Sequence, residues 1–190
     1  MNTIPLGTQA RLALDEIAGV LDRVDEVQLQ GALDALAQAR RVALYGVGRE
    51  GLQVKGFAMR LFHLGLSASV VGDMTCAPAG AGDLLVVSAG PGHFGTVASL
   101  IETARAAGAK VLVVTAPPQG ACAAAADAVI HLPAQTMADD HGAAAANSVL
   151  PMGSLYEGAL FVLFEVMVLR LRDRLAIAPE AMRARHTNLE

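Results

Sequence analysis

The side chains best placed to do chemistry lie near the C-terminal end of the sequence. Glu157 closes the segment Ser148-Val149-Leu150-Pro151-Met152-Gly153-Ser154-Leu155-Tyr156-Glu157, and His186 lies in Arg183-Ala184-Arg185-His186-Thr187-Asn188-Leu189-Glu190. The chain between them is largely apolar, so Glu157 opens a helix that otherwise reads as core. A carboxylate there asks for a reason. In the first turn of a helix it complements the helix dipole. Held in an apolar wall, its pKa rises toward working pH, as a proton-transfer group requires. Position alone leaves both readings open, and His186 by itself reads as a tail residue.

Two glycine-rich segments add a second chemistry, the holding of an oxygen-rich ligand. Gly46-Val47-Gly48-Arg49-Glu50-Gly51 follows an apolar run and opens a helix. Glycines in such a turn let backbone N–H groups approach an anion at the helix N-terminus. Ser88-Ala89-Gly90-Pro91-Gly92-His93-Phe94-Gly95-Thr96 repeats the arrangement after another run. Two such loops at adjacent strand ends make a nest for a ligand, to which His93 could donate. The plainer alternatives are a tight strand–helix turn and a surface imidazole. Cys76 lies in a third possible ligand loop. His141 with Asp139 and Asp140 is spaced too tightly for a good metal shell, and no metal site is expected.

These residues must be positioned by an α/β fold. Val42-Ala43-Leu44-Tyr45, Ala68-Ser69-Val70-Val71, Leu84-Leu85-Val86-Val87, Val111-Leu112-Val113-Val114 and Ala128-Val129-Ile130 are short, nearly continuous apolar runs. Such runs suit strands of a parallel sheet buried on both faces. Helical segments at about 50–64, 94–107 and 119–126 alternate with them, which gives a three-layer α/β sandwich with five parallel strands. Two helices are expected within residues 8–40, from Leu12, Ile17, Val20, Leu21 and Val24 and then Leu29, Leu33, Leu36 and Ala37. A loop is expected at 133–147, a long helix at about 152–174 and a short one after Pro179. Open sheets of this kind bind ligands at the carboxyl ends of their strands.

Composition narrows the partners. The chain has 190 residues, is 54% hydrophobic and has no Trp, so its core is built from Ala, Val and Leu. Its formal net charge of -4 offers no basic stripe for nucleic acid. The two cysteines do not make a disulfide framework, and with no export signal visible a cytoplasmic protein is expected. The apolar stretch at 158–169 is interrupted by Glu165 and is too short to span a bilayer, so no membrane partner is expected. A helix apolar on nearly every face points instead to a core shared between subunits.

The chain resembles the SIS (sugar isomerase) domain proteins, most closely the 6-phospho-3-hexuloisomerases. Phe57-Ala58-Met59-Arg60-Leu61-Phe62-His63-Leu64-Gly65 resembles that family's FAMRLxHLG helix. Val71-Gly72-Asp73 resembles its VGE turn, and Gly82-Asp83-Leu84 its GDL strand entry. Residues 151–157 are similar to PMGSLFE, and residues 185–190 to RHANLE. The resemblance implies a flavodoxin-like SIS fold over 1–190 as one domain. N-terminal helices within 1–40 could pack on a partner subunit, the sheet and its crossover helices occupy 41–132, and the C-terminal helices occupy 148–190. It also implies a homotetramer and a sugar-phosphate isomerase that works through a cis-enediol without a cofactor. Glu157 matches the general base, and His186 a group that assists ring opening or proton shuttling, in some assemblies from a neighbouring subunit. Gly48, Arg49, Glu50, Cys76, Ser88, Gly90, Gly92, His93 and Thr96 fall at ligand-binding positions.

Departures from the family pattern fall in the loops. The first usually reads GxGRSG, and here Glu50 replaces the serine. The second usually reads SGSGET, and here residues 89–94 are Ala, Gly, Pro, Gly, His and Phe. Cys76 stands where a threonine is expected. Hydroxyls that would hold a phosphate are gone, and a carboxylate is repelled by a dianion. This leaves two expectations. Arg49, His93, Thr96 and Ser88 hold phosphate in a new way, or the ligand is a non-phosphorylated or amino sugar that meets Glu50, with or without turnover.

Overall fold

The computed structural model describes residues 4–141 and 148–189; residues 142–147, the later part of the predicted 133–147 loop, lie outside the described residues. In chain order the elements are α1 (Leu6–Leu21), α2 (Glu26–Gln38), β1 (Val42–Gly46), α3 (Gly48–His63), β2 (Ala68–Val70) and β3 (Leu84–Ser88). They continue with α4 (Gly95–Ala106), β4 (Lys110–Thr115), α5 (Ala121–Ala124), β5 (Ala128–His131), α6 (Ser154–Arg174) and α7 (Pro179–Ala184).

The five strands form one sheet in the order β2-β1-β3-β4-β5, every pair parallel. The apolar runs are continuous because side chains alternate between two buried faces. Val42, Leu44, Leu84, Val86, Leu112 and Val114 face the core formed with α2, α3 and α6. Leu85, Val87, Val111 and Val113 face Val97, Ile101 and Ala104 of α4 and Cys122 of α5. The expected three-layer sandwich is therefore the fold. The helix expected at 119–126 is confined to α5, because the Asp127 N–H bonds Val111 O (2.9 Å) and draws the chain into β5.

Local chemistry sets the ends of several elements. Asp25 caps α2, its carboxylate accepting from the N–H groups of Val27 (2.7 Å) and Gln28 (3.1 Å). At the amino end of β3, Asp83 accepts from Arg40 Nε (3.0 Å) and Arg41 Nη2 (3.1 Å), tying β3 to the residues that lead into β1. The most consequential packing for function is α3 against α6. Arg49 meets Glu157, Phe57 stacks on Phe164 with ring centroids 4.3 Å apart, and Arg60 meets Glu165. These contacts follow the same order along both helices, so α3 and α6 run parallel and bring their first turns together.

Helix α6 buries Leu155, Tyr156, Ala159, Leu160, Leu163, Phe164, Met167, Val168 and Leu171 but leaves Phe161 and Leu169 exposed. Leu52, Met59 and Phe62 of α3 are exposed as well. No helix among the described residues is long and apolar enough to cross a membrane.

Candidate active site

The joined first turns of α3 and α6 form one wall of a cleft of about 410 Å³ at the carboxyl end of the sheet. Gly48, Arg49, Glu50, Pro91, Phe94, Thr136, Met137, Gly153, Tyr156 and Glu157 are among its lining residues. This volume is in the range that takes a small ligand. Glu157 gets there through a tight entry into α6. Gly153 precedes the helix with φ 78°, and a Cβ on it would lie 2.6 Å from the Met137 N. Only glycine lets the 136–138 segment approach this closely. Asp140 accepts from the Met152 N–H, and Asp139 accepts from Thr136 Oγ1 (2.8 Å), so both aspartates are engaged in shaping this loop.

Glu157 is mostly shielded from solvent. Its Oε2 lies 3.0 Å from Arg49 Nε. Among the described residues this buried oxygen accepts no hydrogen bond. Arg49 Nη1 donates instead to Ser154 Oγ (2.9 Å). Burial pushes the Glu157 carboxyl above the usual carboxylate range, and the Arg49 charge opposes that rise. A carboxyl group that lines a cleft with its pKa raised by burial has what a proton-transfer group requires.

Glu50, 7% exposed, turns the other way. A glutamate at this point of a helix commonly folds back on its own N-cap. Here the Glu50 carboxyl crosses to the second glycine loop, where Oε2 accepts from Ser88 Oγ (2.5 Å) and from the Gly90 N–H (3.0 Å). Ser88 Oγ is 3.1 Å from the hydroxyl of the fully buried Tyr156, which donates to Val114 O (3.0 Å). With Glu50 ionised, the Ser88 and Tyr156 protons are both used and the contact between these two hydroxyls has none. With Glu50 protonated, donation runs from Glu50 to Ser88 to Tyr156 to Val114 and every contact is filled. Burial raises the Glu50 pKa accordingly, the Ser88 and Gly90 hydrogen bonds oppose the rise, and the charge of Glu157 adds to it. Burial and the Glu50 charge also lift Tyr156 well above the usual phenol range, so it stays neutral.

An acid whose pKa is raised by folding adds stability below its unfolded pKa and loses that contribution as pH rises through its folded pKa. Glu50→Gln should therefore melt at higher temperature than the native chain at pH 8, by roughly 2–4 °C for each kcal/mol regained. The gain should fade toward pH 4. Thermal melts across this pH range test it, and a variant less stable at pH 8 would contradict the reading of the network.

The sequence-derived site residues divide into three groups. Gly48, Arg49, Glu50 and Glu157 line the cleft, with Ser88 and Gly90 bonded to Glu50 beside them. Gly92, with φ 92°, packs against the segment around Pro117 and Gly120, and His93 and Thr96 are exposed near Phe94. Cys76 and His186 are not brought to the cleft. Cys76 lines a separate groove with Arg41, Ala43 and Leu85, its Sγ 3.4 Å from Ser69 Oγ, because the loop after β2 folds over the sheet. His186 stacks on His63 with ring centroids 5.3 Å apart. His63 ends α3, 13 residues after Glu50, which at helical rise puts it about 20 Å along the helix from Glu50. Sequence reasoning gave no role to Tyr156, Ser154 or Thr136. Tyr156 and Ser154 stand inside the motif that drew attention to Glu157, which was the available signal; Thr136 had none.

Comparison with known proteins identifies the family and agrees with the fold. Residues 35–162 match the SIS domain. The chain is 38% identical over 179 residues to the 3-hexulose-6-phosphate isomerase of Mycobacterium gastri, covering 94% of this chain and 88% of that one. It is 31% identical to the enzyme of the same name from Methylomonas aminofaciens, covering 94% and 97%. Among solved structures, a Methanococcus jannaschii protein whose structure was taken to infer a 3-hexulose-6-phosphate isomerase function superposes with a TM-score of 0.82. It is 24% identical and covers 96% of this chain and 99% of that one.

Proposed function

The chain belongs to the SIS domain family, and on that premise we propose that it is a sugar-phosphate isomerase of the 3-hexulose-6-phosphate type. One observation carries the reading: the carboxyl of Glu157, mostly shielded from solvent and with its pKa raised by burial, lines the cleft at the carboxyl end of the sheet. Glu157 takes a proton from the carbon next to the substrate carbonyl, leaving a cis-enediolate, and returns it to the neighbouring carbon. The hydroxyl proton moves to the former carbonyl oxygen in the same interconversion. N–H groups in the first turn of α3 stabilise the enediolate oxygen. His186, far from Glu157 in its own chain, serves the site of a neighbouring copy. The exposed Leu52, Met59 and Phe62 of α3 and Phe161 and Leu169 of α6 support a homo-oligomer, a tetramer by resemblance. We read the chain as one domain and the protein as cytoplasmic.

A second reading, a SIS protein for a non-phosphorylated or amino sugar, is favoured by the Glu50 carboxyl standing on the Ser88 and Gly90 donors.

The pH profile tests the main reading. The base must be ionised, so kcat/KM should rise with pH through a value above the ordinary 4.5 of a glutamate. Arg49 lowers the Glu157 pKa, so Arg49→Met should move this acid limb to higher pH. An acid limb unchanged in Arg49→Met would mean that another group sets the profile.

A further inference from the structure

The cleft contains one built cradle for an electron-rich group, and the chain's own side chain fills it. Ser88 Oγ and the Gly90 N–H converge at the end of β3, where loop N–H groups and a hydroxyl would hold an oxyanion. With Glu50 ionised, both donate to its Oε2. The fit is mutual. A Cβ on Gly90 would lie 2.7 Å from Glu50 Oε1 and 3.0 Å from the Tyr156 ring, so residue 90 must be glycine while Glu50 holds this position. Ser88, 0% exposed, is also held from behind by Tyr156, which is anchored on Val114 O. Glu50 Oε1 accepts no hydrogen bond among the described residues and borders the cleft.

The geometry points to Glu50 as the specificity-determining residue of this cleft: its carboxyl group excludes phosphate from the Ser88–Gly90 cradle, and the part of the substrate that meets it is a hydroxyl donating to Oε1. A phosphate carried elsewhere on the substrate lies away from this cradle. The exclusion has two sources that act together. The donors are already used, and a phosphate oxygen replacing Glu50 Oε2 would be left beside a displaced carboxylate, which repels it. Relatives named for a phosphorylated hexulose make phosphate the group to test. The inference rests on this cleft being the substrate site, but not on turnover.

The experiment is a calorimetric titration of the full chain with inorganic phosphate, for the native protein, Glu50→Ser and Glu50→Gln. Glu50→Ser empties the cradle; Glu50→Gln keeps its shape, removes the charge and guards against a folding defect in the serine variant. Phosphate should bind Glu50→Ser at least about tenfold more tightly than the native chain, a difference of about 1.4 kcal/mol. Glu50→Gln should fall between them. The gain should disappear in Glu50→Ser/Ser88→Ala, which ties it to the cradle. In parallel, Glu50→Ser should raise affinity for fructose 6-phosphate relative to fructose. Native protein binding phosphate within threefold of Glu50→Ser would overturn the proposal, as would a gain that survives loss of Ser88. Binding is read without catalysis, so a chain that fails as an isomerase but gains phosphate on losing Glu50 contradicts the proposed function and upholds this inference.

Discussion

Glu157→Gln should lower kcat/KM by at least about 10²-fold, within the 10²–10⁴ that a positioned general base contributes, while the protein stays folded. Glutamine keeps the length and shape of the side chain and removes the basic oxygen. The structural cost should be small for two reasons. Burial already disfavours the Glu157 anion, so a neutral amide removes that penalty. The ion pair given up is with Arg49, which is 59% exposed, and pairs of that kind contribute little. Activity and stability should therefore separate. The enediolate supplies a second readout. Incubation in heavy water should carry deuterium into the substrate carbon with the native enzyme, and the variant should lose this exchange together with turnover. If Glu157→Gln retains turnover within tenfold of the native chain, Glu157 is not the base and the proposed mechanism fails.

Glu157 could be singled out from the sequence, because its cues are local, while its role as the base is what the family resemblance implies. A carboxylate at the head of an apolar helix, behind a proline and a glycine, is visible without a fold. The strands were legible for the same reason. Val42, Leu44, Leu84 and Val86 belong to runs whose alternate members serve two faces, and no distant residue is needed to see it. The Glu50 network was not legible. Its members lie 38 and 68 positions apart, and neither periodicity nor spacing says which buried hydroxyl a helix-start glutamate will meet. The departure from the family loop marked Glu50 as unusual, but the side chain's direction is set by β1 and β3 being neighbours in the sheet. Cys76 was misleading for a related reason. A loop at a strand's carboxyl end usually points to the ligand, yet the one after β2 folds back until Cys76 meets Ser69 inside the strand. β2 is a three-residue edge strand, so it does little to fix the path of the loop that leaves it.

His186 gives the other large expected effect, because its place in the fold forbids one of its two possible roles. Arg185 Nη1 donates to His63 O (3.1 Å), and the His186 ring stacks on His63. The tail is thus held at the end of α3 opposite the cleft, about 20 Å along the helix from Glu50. A proton transfer needs contact, so His186 either serves the site of another copy or serves none. His186→Ala should lower kcat/KM by at least about 10²-fold if it shuttles protons to the sugar oxygens. Co-expressing Glu157→Gln and His186→Ala chains with different tags, and purifying the hybrid, separates the alternatives. If His186 acts across an interface, one site in each hybrid pair joins an intact Glu157 to an intact His186, and about half of native turnover returns from two inactive parents. If His186 acted within its own chain, every site in the hybrid would carry one defect and no activity would return. Hybrids that stay inactive, or a His186→Ala chain with native activity, would remove His186 from the reaction at a neighbouring site. The exposed apolar faces of α3 and α6 make the first outcome physically reasonable, since Leu52, Met59, Phe62, Phe161 and Leu169 lie on the two helices whose first turns carry Arg49 and Glu157. A neighbour that covered these faces would bury them beside the cleft, and its own tail could then supply the imidazole that this chain holds too far away.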